Sequence, residues 1–70
     1  QQVDYAISYV NGPNETVENA VVVLILPVAS EYVESTGGGL YWPERHEVFW
    51  KLGNLAPEGQ GILSARVRYF

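Results

Sequence analysis

The segment Glu18-Asn-Ala-Val-Val-Val-Leu-Ile-Leu-Pro27 carries the longest apolar run in the chain, and it limits what the chain can fold into more than any other stretch. It is rich in β-branched residues, about the length of one strand, and closed by a proline that cannot continue a hydrogen-bonded ladder. A buried strand therefore fits it better than a helix. Successive strand residues point to opposite faces, which sets Ala20, Val22, Leu24 and Leu26 on one side and Val21, Val23 and Ile25 on the other. Both sides are apolar. One must line a core, and the other needs cover from strands of the same domain, a neighbouring domain or another protomer, because a bare stripe of this kind promotes aggregation. Val21, Val23 and Ile25, with help from Phe49, are thus candidate interface residues, and Val17 to Leu26 reads as the central strand of the fold.

Val3 to Val10 alternates, with Tyr5, Ile7 and Tyr9 on one face and Asp4, Ala6 and Ser8 on the other, the period of a half-buried strand. Asn11-Gly-Pro-Asn14 is dense in turn residues. Ala29 to Ser35 is a weaker strand with Tyr32 or Val33 turned inward. Gly37-Gly-Gly39 reads as a flexible crossover. Leu40-Tyr-Trp42 and Glu47 to Leu52 form a hairpin about the loop Pro43 to His46, with Val48, Trp50 and Leu52 sharing a face. Gly53 to Gly61 reads as a loop whose apolar anchor, Leu55, plugs one end of the core. Ile62 to Phe70 alternates again, with Leu63, Ala65, Val67 and Tyr69 facing in and Ser64, Arg66 and Arg68 facing solvent.

No segment holds a helical period, so the expected fold is all-β: a small antiparallel sandwich of about six or seven short strands. The predicted core is Tyr5, Ile7, Val22, Leu24, Leu26, Val48, Trp50, Leu52, Leu55, Leu63 and Val67. Seventy residues make one domain, 1–70, without cysteine and with a single histidine, so neither a disulfide nor a zinc site supplements the packing. The formal charge of −4, with only Arg45, Lys51, Arg66 and Arg68 as cations, argues against nucleic acid and anionic membranes as partners. No apolar run approaches the ~20 residues of a membrane-spanning helix. The chain starts in strand-like sequence without an initiator methionine or signal peptide, which is the expected look of a piece of a longer surface protein.

The order of motifs carries a resemblance. Tyr5-Ala-Ile-Ser-Tyr-Val-Asn11-Gly12, Ala20 to Pro27, Tyr32-Val-Glu-Ser-Thr-Gly37-Gly38, and Val48-Phe-Trp50-Lys-Leu52-Gly53-Asn-Leu55-Ala-Pro57, followed by an alternating strand, resemble the bacterial and archaeal cell-surface conserved-repeat family known as domain of unknown function 11. The resemblance covers nearly the whole chain. It implies an immunoglobulin-like module strung with others along an extracellular, cell-surface or cell-wall protein, with no enzyme activity and no cofactor. The implied function is a spacer that packs against neighbouring domains of its own chain or other protomers. The alternative is an adhesin-type module binding a carbohydrate or a protein. The sequence departs from the family at Leu24 and Ile25, where polar residues, often aspartate, are common; that favours an apolar contact surface over an ion site.

The candidate sites are few. Tyr41, Trp42 and Phe49 would offer an aromatic platform for a sugar ring or a protein partner if the hairpin turns them outward. Glu44-Arg-His-Glu47 puts one imidazole between carboxylates, but no second histidine or cysteine completes a ligand set, and the segment reads as a solvated turn. The triple glycine precedes a strand, not the helix that a phosphate loop requires. Asp4, Glu15, Glu18, Glu31 and Glu34 are not at calcium-loop spacing. No nucleophile has a base and an orienting group within reach, so no catalytic, metal or cofactor residue is assigned.

Overall fold

The alternation becomes six strands in a computed structural model that describes all 70 residues: β1 Gln2–Val10, β2 Val17–Ile25, β3 Ser30–Ser35, β4 Leu40–Trp42, β5 Glu47–Leu55 and β6 Gln60–Tyr69. They form two three-stranded antiparallel sheets, ordered β1-β6-β3 and β2-β5-β4. Only the β4–β5 hairpin stays within one sheet; every other connection crosses between the layers, the winding of a small β-sandwich.

The two middle strands hold the core. Val48 and Trp50 of β5 are wholly enclosed, and Leu63, Ala65 and Val67 of β6 face them, with Leu26 closing one end. Tyr5, Ile7, Val22, Leu24 and Leu52 are half-buried and pack around this centre. The central place expected for Val17 to Leu26 is therefore corrected: β2 is an edge strand, paired with β5 alone. Hydrophobic patterning reports which side chains need cover and is silent on which element supplies it.

Leu55 is a second correction. It does not plug the core from a loop; it is the half-buried last residue of β5, opposite Val17. Gly53-Asn54 has the composition of a turn but lies inside the ladder, because Asn19 (φ 53°) and Gly53 (φ 73°) sit at two bulges, one in each strand, whose extra residues compensate. The Asn54 side-chain oxygen accepts from the Asn19 backbone N–H at 3.1 Å and secures the pair.

The triple glycine is the third. It is a tight strap: the indole N–H of Trp50 donates to the Thr36 carbonyl at 2.6 Å, and the backbone of Gly39 lies directly on the ring. At the other end, the Asn11 amide donates to the carbonyls of Glu15, Leu55 and Ala56, while its oxygen accepts from Gly12 N–H. One side chain thus ties the β1–β2 turn to the β5–β6 loop, a longer reach than the local backbone bonding its position suggests.

Tyr5 and Tyr69 join their hydroxyls, and that bond, with some desolvation and charge repulsion, raises the Tyr69 pKa above the ordinary 10.0. The folded state thus favours the neutral phenol. Its contribution is complete below about pH 10 and is lost as pH rises through the raised folded value. Urea midpoints measured from pH 8 upward should fall on the alkaline side, and Tyr5→Phe should flatten that decline; an equally steep decline in Tyr5→Phe would assign it elsewhere.

Candidate functional site

The outer faces of the two sheets differ in kind. On β1-β6-β3 the cross-strand partners are charged and matched: Arg66 grips Asp4 through two hydrogen bonds of 2.7 and 3.2 Å, and Arg68 pairs with Glu31. The Arg66 hydrogen bond holds the Asp4 carboxyl below its usual range. Both arginines of this face are neutralised, and of this sheet's exposed apolar residues Val10 and Ile62 stand at one end while Val33 sits at the β3 bulge.

On β2-β5-β4 the register builds three cross-strand rows: Val21 with Lys51, Val23 with Phe49 and Leu40, and Ile25 with Glu47 and Trp42. Ile25 is 73% exposed, Leu40 56%, Val21 54%, Val23 51% and Trp42 42%, so nothing in the chain covers this surface. Phe49, half-buried, fills its middle and meets Trp42 edge-on at 6.4 Å between ring centres. The Arg45 guanidinium lies 4.7 Å over the Trp42 ring. Lys51 and Glu47 stand on either side of Phe49 along β5, and neither has an ion-pair partner within the chain.

The structure thus brings Val21, Val23, Ile25 and Phe49 onto one outward surface and adds Leu40, which sequence reasoning missed. The signal was available: with β4 alternating, Leu40 shares a face with Trp42. The same alternation separates Tyr41 from Trp42 and corrects the three-aromatic platform. Tyr41 points inward, stacked on Tyr32 with ring centres 4.6 Å apart and planes within 3°. It does not share the outward face of Trp42 and Phe49.

His46 also departs from expectation. It is half-buried, not solvated, and its left-handed backbone (φ 51°) turns the ring under the hairpin. Nε2 is 3.0 Å from the Pro27 carbonyl, which can only accept, so Nε2 carries the proton and Nδ1 accepts from the Tyr41 hydroxyl at 2.7 Å. Ser30, buried, donates to the same carbonyl at 2.7 Å and lies 3.4 Å from Nε2. A serine beside a histidine invites a catalytic reading, but the nitrogen nearest Ser30 is the protonated one and cannot take the hydroxyl proton. The cluster is a structural tie between the hairpin and the β2–β3 turn. No group of three metal-capable side chains gathers anywhere in the chain. Comparison with family models, with curated proteins and with solved structures returns no match.

Proposed function

We propose that this chain is a non-catalytic structural module of an extracellular or cell-surface protein, and that it works by packing the outer face of β2-β5-β4 against a neighbouring domain or protomer. The observation that carries the reading is the asymmetry of the two sheets, one outer face finished with paired charges and the other left apolar over three strands. A lone soluble domain with such a face is liable to aggregate, and large exposed apolar patches mark contact surfaces. The resemblance of the motif order to that of cell-surface repeat units supports the setting. An adhesin-type role has less support, since Tyr41 faces inward and Arg45 already occupies one side of Trp42.

The test is Val23→Lys. Val23 is half-exposed and makes no core contact, so the fold should lose no more than about 1 kcal/mol. Binding of a hydrophobic dye should fall and the solubility limit should rise. Unchanged dye binding and solubility in a folded variant would refute the packing role of this face.

A further inference from the structure

The free charges on the apolar face point to what covers it. Along the outward side of β5 the order is Glu47, Phe49, Lys51, an acid and a base placed symmetrically about an aromatic centre. A two-fold axis that stacks two copies of a sheet face to face must lie in the plane between them. If the axis crosses the strands at the Phe49 row, β5 meets its copy antiparallel, and Lys51 of each chain stands over Glu47 of the other. If it runs along the strands, Lys51 meets Lys51 and Glu47 meets Glu47, which repel. Stacked sheets are about 10 Å apart, a gap that a lysine and a glutamate reaching toward each other can span.

The crosswise axis also suits the rest of the face. It sets Val23 over Val23 and Leu40 over Leu40, and Ile25 of one copy over Val21 of the other. Trp42, the largest exposed side chain, falls over the end of the copy's β4 that is preceded by glycine and carries no side chain to oppose it.

We infer that the outer face of β2-β5-β4 is a homodimer interface, in which a second copy of this chain packs antiparallel across it with Lys51 and Glu47 forming two reciprocal ion pairs around a Phe49 centre. The inference rests on the packing role proposed above and names its partner.

The experiment is sedimentation equilibrium of the 70-residue chain across a micromolar to millimolar series, with circular dichroism to verify folding. Wild type should dimerise. K51E and E47K should each weaken the dimer at least tenfold, because each places like charges across the axis, and the double exchange K51E/E47K should restore it. High salt should weaken wild type and relieve both single variants. Dimerisation indifferent to these exchanges in folded variants overturns the proposed arrangement. A wild-type chain that remains monomeric yet binds a hydrophobic dye, with the signal lost in V23K, overturns self-association but leaves the packing role standing. A chain that is monomeric and silent to the dye overturns both.

Discussion

Trp50→Ala should destabilise the protein by about 3–5 kcal/mol, the range for deleting a fully buried large aromatic. Trp50 has no exposed surface, sits on the middle strand of its sheet, and has Val48 and the β6 residues Leu63, Ala65 and Val67 as neighbours in the cluster between the layers. Its loss removes the ring's packing and leaves the Thr36 carbonyl without the indole donor. A chain of this length has about 3.5–10 kcal/mol of stability at ordinary per-residue values, so the deficit takes a large share of the total. A urea titration followed by circular dichroism should show the variant largely unfolded at room temperature or with its midpoint sharply lowered. A midpoint near that of the wild type would mean that the core lies elsewhere.

Gly39→Ala should cost about 1–3 kcal/mol, although alanine adds only one methyl group. A Cβ at this position would lie 2.6 Å from Trp50 Nε1, 2.7 Å from Ser35 Oγ and 2.8 Å from Trp50 Cε2. The indole cannot retreat, because it is enclosed on every side and tied to Thr36. Gly38→Ala is the informative contrast: a Cβ there meets nothing within 4 Å, and its cost would come only from a backbone φ of 78°. Melting curves should show Gly39→Ala as the weaker of the two. Combining Gly39→Ala with Trp50→Phe, which vacates the space under the strap, should cost less than the sum of the separate losses. Strict additivity would show that the strap and the ring do not touch.

These two positions also show how far the residues could be read before the fold was known. Trp50 was legible as core because it shares the period of Val48 and Leu52, and strand alternation depends only on local backbone geometry. Gly39 was not legible. The requirement comes from the Ser35 hydroxyl and, above all, from a side chain eleven positions away that the crossover brings underneath, and no local pattern announces either contact. His46 was hidden for a related reason, since one ring partner, Tyr41, is set by the geometry of the hairpin and the other, the Pro27 carbonyl, by how the hairpin closes on the β2–β3 turn. The bulges at Asn19 and Gly53 misled in the opposite direction, because turn-forming residues were used inside a ladder.

The candidate interface divides along the same line. Val21, Val23, Ile25 and Phe49 could be placed on shared faces from alternation alone. Tyr41 and Trp42 needed the pairing of β4 with β5 to show which of them looks out, and Leu40 joins the surface only because that pairing sets it beside Phe49.

By itself the sequence determined the all-β class, the position of nearly every strand, and which side chains seek one another's company, because these follow from a two-residue period and from the turn chemistry of glycine, proline and asparagine. Only the tertiary structure decided that the valine-rich strand lies at an edge, that its second apolar face is bare, and that Lys51 and Glu47 flank an aromatic without partners in the chain. The physical reason is that burial is a relation between distant segments. A strand's pattern states that a face needs cover, and the packing of the layers determines whether the chain provides it.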